Sequence, residues 1–375
     1  MPDRHKIRVL IVDDSAAVRT TLSDIISSDP ALEVMATAAD PYIAVERIRQ
    51  EVPDVIFLDI ELPRMDGITF LKKMMLQRPI PVVICSSHAS EGSDTLIKAL
   101  EAGAVDVVPK PRVDTAQALH DSRARICAAA RNAAEARLKG RVARAPAPEV
   151  HVEAKLTADA VIPPRSAARA ASALVTMPVT EPVICIGAST GGTEALRDVL
   201  VELPAASPAI LIVQHMPERF TAAFARRLDS LCQVRVKEAE DGDVLAPGQV
   251  LIAPGGRHMT LQRTGSRYTV HVVDGPHVSR HRPSVDVLFR SAAYAAGKNA
   301  LGVLLTGMGD DGARGLLEMR QAGAVTIAQD EDSSVVFGMP KEAIALGAAQ
   351  KIVPLKRVAH EITAYASRAP LRDSA

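Results

Sequence analysis

The chain contains 375 residues, and at roughly 100 to 200 residues per domain this length predicts two or three domains. The composition, 47% hydrophobic and 23% charged, is that of a soluble globular protein and excludes wholesale disorder and the fibrous classes. The 44 basic and 44 acidic side chains cancel, so no overall field attracts nucleic acid or an anionic membrane surface.

The N-terminus shows neither a signal peptide nor a membrane span, because acidic residues interrupt the apolar run at 9–12. The four cysteines are widely spaced and spell out no disulfide framework or zinc site: Cys85, Cys127, Cys185 and Cys232. We therefore predict a cytoplasmic protein with reduced thiols that is not embedded in a membrane. With no Trp, 4 Tyr and 6 Phe, few rings can stack on bases, and we predict no nucleic-acid partner.

The first part of the chain, residues 1–127, alternates short β-branched runs with helical patterns. The strand-like runs lie at residues 7–12, 55–58, 82–85 and 105–108. Such alternation predicts an α/β domain with a doubly wound parallel sheet. Residues 128–180 are rich in Ala, Arg and Pro, which predicts a linker that is helical at first and then poorly ordered.

Alternation of strands and helices resumes over residues 181–370. Further strand-like runs lie at residues 183–186, 210–213, 250–253, 268–273, 301–305 and 324–328. This pattern predicts a second α/β, doubly wound domain. The chain as a whole is thus expected to contain two α/β domains joined by a linker.

Acidic side chains follow two of the strands predicted in the first domain. Asp13 and Asp14 end the first strand, and Asp59 ends another, so three carboxylates are expected at the carboxyl edge of the sheet. Such a group favours Mg²⁺ and lets one carboxylate attack a phosphoryl group. Ser86 and Lys110 end later strands and can contact phosphoryl oxygens. Each Asp is also explained singly as a turn or N-cap residue.

Residues 9–15, 59–67 and 109–111 resemble the motifs of response-regulator receiver domains. The resemblance implies a flavodoxin-like fold in which a histidine kinase phosphorylates Asp59. It also implies roles for the other site residues: Asp13, Asp14 and Asp59 carry Mg²⁺, Ser86 is the switch hydroxyl and Lys110 contacts the phosphate. Many receivers place an aromatic switch residue three positions before the lysine. That position is Val107 here, so a large ring rotation cannot be the signal.

In the second domain, Ser189 follows the strand 181–186 in a glycine-rich turn. Gly187 and Gly191 flank it at the spacing of a nucleophile elbow, permitting a sharp turn and close approach of a substrate. Glycine-rich strand-to-helix turns also cradle phosphates and dinucleotides. Ser189 is equally explained, on its own, as a helix N-cap.

The next strand ends in His215, where a dinucleotide-binding fold would usually place an acidic residue for the ribose. Because sequential strands are usually neighbours, His215 is a candidate general base for Ser189. The strand 301–305 runs into Asp310 and Asp311, either of which could orient the imidazole. The separate structural explanations are a buried core histidine for His215 and an Asp-Gly turn for Asp311.

The other histidines of the second domain show weaker signals. His277 and His281 are four residues apart, but Pro276 and Pro283 bracket them and no Glu follows the first. We therefore expect a loop or surface role for both histidines rather than a metal site. His258 lies in a turn and is assigned no catalytic role.

Five motifs of the second domain resemble the catalytic domain of the chemotaxis protein-glutamate methylesterase family, CheB. They lie at residues 186–193, 213–216, 252–255, 281–286 and 305–313. The resemblance implies that Ser189 is the nucleophile, His215 the base and Asp311, rather than Asp310, the orienting acid. It also implies that the backbone amides of Thr190 and Met308 hold the oxyanion.

The resemblance further implies hydrolysis of glutamyl methyl esters, and deamidation of glutamines, on methyl-accepting chemoreceptors. No metal or other cofactor is expected for this reaction, and the receiver is expected to cover the esterase site until it is phosphorylated. One alternative is a phosphorylation-controlled protein that binds a receptor or nucleotide without turnover. Another is a transcriptional regulator, which Arg226-Arg227 supports poorly because Leu228 and Asp229 follow at once.

Overall fold

The computed structural model describes residues 6–62, 65–86, 93–111, 115–136, 155–164, 181–218 and 220–368. The chain divides into two compact units, Met1–His151 and Val152–Ala375. Each unit contains a parallel sheet flanked by helices. Both therefore have the α/β architecture expected from the alternating pattern.

The first unit is built on a five-stranded parallel sheet. Its strands are β1 (Ile7–Val12), β2 (Leu32–Ala38), β3 (Val55–Leu58), β4 (Val82–Ser86) and β5 (Asp106–Pro109). They lie in the order β2-β1-β3-β4-β5, which is the flavodoxin-like order. Winding changes direction between β1 and β3, and ligands of such sheets bind outside the carboxyl ends of the strands at this point.

Helices pack on this sheet, and polar side chains determine where three of them begin. The helices are α1 (Ala16–Ser27), α2 (Pro41–Gln50), α3 (Gly67–Gln77), α4 (Ser93–Glu101) and α5 (Ala116–Glu135). The side chains of Ser15, Asp40 and Asp66 accept hydrogen bonds from first-turn amides of α1, α2 and α3. These N-caps satisfy amides that have no partner within the helix.

The second unit is built on a seven-stranded parallel sheet and a separate hairpin. The sheet strands are β6 (Val183–Ala188), β7 (Ala209–Gln214), β8 (Arg235–Glu238), β9 (Gln249–Ile252), β12 (Ala300–Leu304), β13 (Val325–Gln329) and β14 (Lys351–Val353), and the hairpin strands are β10 (His258–Thr264) and β11 (Arg267–Val273). The sheet order is β14-β13-β12-β6-β7-β9-β8. Its switch in winding direction lies between β6 and β12.

The helices of the second unit cover both the sheet and the hairpin. They are α6 (Gly192–Val201), α7 (Phe220–Asp229), α8 (Val285–Ala295), α9 (Ala313–Gln321), α10 (Met339–Ala345) and α11 (Leu355–Arg368). Helix α8 is buried along nearly its whole length, packed between the hairpin and α9. Among the described residues, no helix is long and apolar enough to span a membrane. All four cysteines are free, and Cys85, Cys127 and Cys185 are buried, which fits small core side chains.

Every strand predicted from an apolar run is present, and its ends agree to within two residues. The described residues contain four further strands that were not predicted. Three of them, β2, β8 and β14, lie at edges of the two sheets. Their side chains are half-buried or exposed at most positions, so they lack the continuous apolar run of a strand buried on both faces. The fourth, β10, is one half of the hairpin.

The predicted linker lies only partly within the described residues. Its start is helical, as expected, because α5 extends to Glu135. Residues 155–164 differ from the prediction of poor order: they include a 3₁₀ turn, Ala158–Ala160, in which Ala158 is buried. Residues 137–154 and 165–180 are outside the described ranges, and the boundaries 1–127, 128–180 and 181–370 stay predictions.

Gly67 begins α3 directly against the backbone that follows β3. A Cβ atom at this position would lie 2.4 Å from the carbonyl oxygen of Asp59 and 2.8 Å from Cα of Ile60. Because backbone atoms cannot rotate away, we expect Gly67→Ala to displace this loop and destabilise the first unit by about 1 to 3 kcal/mol.

Hydrogen exchange of the β1 and β3 amides measures this effect in the full chain, since it reports opening of the first unit separately. Lys73→Ala, at an exposed position of the same helix, is the control. Equal protection of the β1 and β3 amides in the two variants would contradict the expected steric clash.

Candidate functional site

In the first unit, three carboxylates meet where β1 and β3 end. Asp13, Asp14 and Asp59 each offer an oxygen within 4.8 Å of the other two. Asp13 and Asp59 are buried, whereas Asp14 is exposed to solvent. This is the predicted acid cluster, and it lies at the switch point of the sheet. The oxygen donors and the open side at Asp14 suit a hydrated Mg²⁺ ion.

Lys110 lies among these carboxylates at the end of β5. Its Nζ is 2.8 Å from Oδ2 of Asp13 and 2.8 Å from Oδ2 of Asp59. Burial lowers the pKa of Lys110, but the hydrogen bonds to both carboxylates outweigh burial and raise it overall. Burial also raises the pKa of Asp59, although Lys110 opposes this rise. The lysine therefore stays protonated and partly neutralises two buried acids.

The two other predicted features of this edge lie on β4 and β5. Ser86 is the last residue of β4 and is half-buried, while its neighbour Ser87 is outside the described residues. Val107 is buried within β5, so the position three residues before Lys110 holds a small side chain packed in the core.

In the second unit, the three predicted residues lie at the ends of three adjacent strands. β6 pairs with β7 on one side and with β12 on the other. Ser189 follows β6, His215 follows β7, and Asp311 lies in the loop after β12. Parallel pairing brings these ends to a single edge, beside the switch point between β6 and β12.

Asp311 joins His215 to the start of α8. Its Oδ2 lies 2.8 Å from Nε2 of His215 and accepts a 2.8 Å hydrogen bond from the Val285 amide. Its Oδ1 accepts hydrogen bonds of 2.7 Å from Ser284 Oγ and 3.0 Å from the Asp286 amide. Four donors thus hold one buried carboxylate, two of them first-turn amides where the helix dipole favours negative charge.

The electrostatics of this carboxylate follow from its partners. Burial alone would raise the pKa of Asp311, but the hydrogen bond and charge of His215, with the His281 charge and the Asp286 amide, lower it instead. The neighbouring Asp286 shows the opposite behaviour, because burial and the charge of Asp311 raise its pKa. The pair therefore holds one ionised acid, Asp311, in contact with the imidazole.

The other nitrogen of His215 is available for a proton. Nδ1 is buried and has no hydrogen-bond partner among the described residues, and the structure shows no hydrogen bond between Ser189 and His215. Catalytic hydrogen bonds are often long in the absence of substrate. In this structure Asp311 contacts Nε2, which leaves Nδ1 as the nitrogen on the opposite side of the ring. In the serine-protease template the two nitrogens are exchanged, because the acid binds Nδ1 and the serine binds Nε2.

Backbone hydrogen bonds hold Ser189 in its turn. Its amide donates to the Thr306 carbonyl at 3.0 Å, and its carbonyl accepts from the Gly192 amide at 2.7 Å. The Gln214 side chain also donates to the Ser189 carbonyl, at 2.9 Å. Gly307 lies so close that a Cβ there would be 2.7 Å from Cβ of Ser189. The serine is thus fixed by both neighbouring strands.

The flanking glycines serve the packing of the turn. Gly191 has a φ of +76°, a left-handed conformation that glycine adopts without strain. The space beside Gly187 is filled by α8, since a Cβ there would lie 2.3 Å from Cγ1 of Val285. Gly187 therefore admits a helix, and the expectation that it lets substrate approach is wrong for this glycine.

The amides predicted to hold an oxyanion lie in the two loops beside Ser189. Neither the Thr190 amide nor the Met308 amide donates a hydrogen bond within the described residues. The buried hydroxyl of Thr306 ties these loops to a third, donating to the Thr190 carbonyl at 3.0 Å and accepting from the Val336 amide at 2.9 Å. The Thr306 hydroxyl therefore holds the backbone beside both amides in place.

His281, which was expected to have a loop or surface role, lies at the site. The ring of His281 stacks on that of His215, with centroids 3.7 Å apart and planes 4° from parallel. Ser284, which follows Pro283, was also not predicted as part of the site. Both residues lie in the motif 281–286 that resembles the family, and this motif was the available signal. Asp310 is half-buried and pairs with Lys155, and Nδ1 of His258 accepts a hydrogen bond from the Ser284 amide.

Two family models match the chain. The model for the response regulator receiver domain matches residues 9–122, and the model for CheB methylesterase matches residues 184–362. Each match falls within one of the two units.

Proteins similar to the chain over nearly its whole length include a protein-glutamate methylesterase/protein-glutamine glutaminase of Rhodospirillum rubrum. It is 67% identical, and the match covers 97% of this chain and 99% of that protein. A protein of the same description from Rhodopseudomonas palustris is 64% identical over 96% of both chains. The solved CheB methylesterase catalytic domain of Thermotoga maritima is 38% identical, with a TM-score of 0.48, covering 49% of this chain and 98% of that one. The chain belongs to the CheB methylesterase family, with a response regulator receiver domain before the methylesterase domain.

Proposed function

We propose that the chain is a protein-glutamate methylesterase of chemotaxis, activated by phosphorylation of its receiver domain. Its substrates are glutamyl methyl esters on methyl-accepting chemoreceptors. The observation that carries this proposal is the 2.8 Å hydrogen bond between His215 and Asp311 at the sheet edge that also holds Ser189. The names of the similar proteins support a methylesterase activity on protein glutamate.

Ser189 supplies the nucleophile. Its Oγ attacks the side-chain carbonyl carbon of the ester while its proton passes to Nδ1 of His215. Asp311 accepts the Nε2 hydrogen bond and stabilises the imidazolium that forms. Because four hydrogen bonds keep Asp311 ionised, the base is held in the tautomer that leaves Nδ1 able to accept a proton.

The oxyanion of the tetrahedral intermediate is held by the amides of Thr190 and Met308. Such a donor is typically worth about 3 to 4 kcal/mol of barrier. His215 returns the proton to the leaving oxygen, methanol departs and an acyl ester remains on Ser189. Water then attacks the acyl carbon and gives its proton to His215, which passes it to Ser189 Oγ as the glutamate is freed.

A glutamine side chain presents the same acyl carbon to Ser189. In that case His215 gives its proton to the leaving nitrogen and ammonia departs, and the second half of the reaction is unchanged. The glutaminase activity in the names of the relatives supports deamidation as a second reaction of this site.

Asp59 is the proposed phosphoryl acceptor, and a histidine kinase is the proposed donor. Asp13, Asp14 and Asp59 would hold Mg²⁺, which screens the carboxylates from the phosphoryl oxygens. Lys110 now bridges Asp13 and Asp59 and can move to a phosphoryl oxygen. Ser86, at the end of β4, is the proposed switch hydroxyl. Phosphorylation would therefore change both the charge and the hydrogen bonding of this edge.

We expect Ser189→Ala to reduce methanol release from methylated receptor membranes by at least about 1,000-fold, because it removes the nucleophile. Ser230→Ala, at an exposed position, is the control and should match the wild type. Covalent labelling of Ser189 by a serine-directed phosphonate separates an esterase from a protein that only binds receptors. Undiminished methanol release by Ser189→Ala would rule out this nucleophile.

Asp311→Asn should lower kcat by about 100- to 10,000-fold, because an amide cannot hold the imidazole in the required tautomer. The adjacent Asp310→Asn is the control. Asp310 is half-buried, and its ion pair with Lys155 is partly exposed to solvent; such pairs contribute about 0 to 1 kcal/mol. Equal activities of the two variants would show that Asp311 is not the orienting acid.

Acetyl phosphate with Mg²⁺ should raise the esterase rate of the wild type at least about fivefold. Asp59→Asn should show no rise, since an amide does not accept the phosphoryl group. EDTA should abolish the rise in the wild type. Asp24→Asn, an exposed acid of α1, should respond as the wild type does. An equal response of Asp59→Asn would place the control at another residue.

A further inference from the structure

We propose that His281 is a positioning residue for the catalytic base, and that the linker segment Leu156–Ile162 holds it in place. The proposal rests on the assignment of His215 as the base. It adds a residue and a part of the linker to the catalytic machinery. Both belong to the second unit, Val152–Ala375.

The hydrogen bond to Asp311 alone does not determine the orientation of the His215 ring. That bond fixes Nε2 at 2.8 Å from one oxygen, but the ring can still pivot about it. Nδ1 has no hydrogen-bond partner among the described residues and therefore gives no second anchor. A contact with the flat face of the ring is needed to direct Nδ1 towards Ser189.

His281 supplies that contact. The two rings are 4° from parallel and their centroids are 3.7 Å apart, so any rotation of His215 out of this plane meets the other ring. The two contacts together, at an edge and at a face, determine the direction of Nδ1.

A tight turn presents His281 to the base. The amide of His281 donates to the Val278 carbonyl at 2.8 Å, and the Val278 amide donates to the His281 carbonyl at 3.0 Å. Between them, Ser279 and Arg280 have φ values of +49° and +69°. Left-handed conformations of residues other than glycine are costly and persist where surrounding structure imposes them.

The linker segment is part of the structure that imposes this turn. The Ser279 amide donates to the Leu156 carbonyl at 2.9 Å. Ala158, which is 4% exposed, packs with Val278 from the turn and Val287 from α8. One face of the turn is thus covered by a segment that lies more than a hundred residues earlier in the chain.

Arg290 of α8 anchors the segment from the other side. Its guanidinium donates to the Asp159 carboxylate and, at 2.9 Å, to the Ile162 carbonyl. The same side chain pairs with Glu318 of α9, so the anchor is tied to two helices. The segment is therefore held by backbone, apolar and charged contacts at once, and its release would free the turn that carries His281.

Replacing the ring tests the first part of the proposal in the full chain. His281→Ala should lower kcat for methanol release about 10- to 100-fold with little change in KM, because misplacing the base affects only the chemical step. His281→Phe keeps a flat ring and should stay within about threefold of the wild type. His277→Ala, at an exposed position of the same loop, is the control for the loss of a histidine.

Loss of activity in both His281→Phe and His281→Ala would show that a flat ring is not what the base needs. Wild-type activity of His281→Ala would overturn the positioning role. The Ser189→Ala variant is assayed in parallel. Activity retained by Ser189→Ala would contradict the proposed esterase site itself. The thermal midpoints of His281→Ala and His281→Phe are measured as well. If both midpoints fall equally while only His281→Ala loses activity, the loss is due to misplacement of the base and not to lower stability.

Two matched substitutions test the linker. Ala158→Asp places a charge in the contact with Val278 and Val287, whereas Ala160→Asp places the same charge at an exposed position of the same turn. We expect Ala158→Asp to lower kcat about tenfold and Ala160→Asp to have no effect.

A double variant shows whether the linker acts through His281. If it does, Ala158→Asp combined with His281→Ala should be no slower than His281→Ala alone, because residues that act as one unit are not additive. Multiplied losses in the double variant, or equal activities of Ala158→Asp and Ala160→Asp, would overturn the role of the segment.

Discussion

The proposed catalytic arrangement depends on one buried carboxylate, Asp311, and on the contacts that keep it ionised away from solvent. An isolated charge in this position would cost several kcal/mol. Here the start of α8 supplies two amides and the Ser284 hydroxyl, and His215 supplies the fourth donor. The helix is thus an electrostatic component of the site as well as part of its packing. Any change that moved α8 away from β12 would leave the acid, and with it the base, without support.

The two units share the arrangement of a parallel sheet with polar residues at its carboxyl edge, but the charges at that edge differ. In both, parallel strands bring polar side chains to the carboxyl edge beside a switch in winding direction. In the described part of the first unit, Lys110 lies between two buried acids, which leaves negative charge for a metal ion to balance. In the second unit the acid is balanced by neutral donors and an imidazole. One edge therefore suits phosphoryl chemistry and the other suits proton transfer at an acyl group.

The sequence predicts those site residues whose position depends on the neighbouring residues in the chain. Ser189 and His215 each follow a strand buried on both faces, and such strands are recognisable as short apolar runs. Edge strands such as β2 were missed, because half-exposed positions carry no continuous apolar signal. His281 and Ser284 were missed for a different reason: their roles arise from contacts with residues far away in the sequence. The spacing of histidines along a loop does not encode the packing of one ring on another.

Glycine has a second role at this edge, besides permitting turns. The first residue of α8, Val285, fills the space beside Gly187 and Gly312, where added Cβ atoms would lie 2.3 Å and 2.6 Å from its Cγ1. Only without those atoms can the helix start come close enough for the Val285 amide to reach Asp311 at 2.8 Å. The two glycines therefore also help to set the position of Asp311, the proposed orienting acid. A larger residue at Gly187 would push Val285 away and so weaken the hydrogen bond from its amide to Asp311. The first effect of such a substitution would therefore be on Asp311 and not on Ser189.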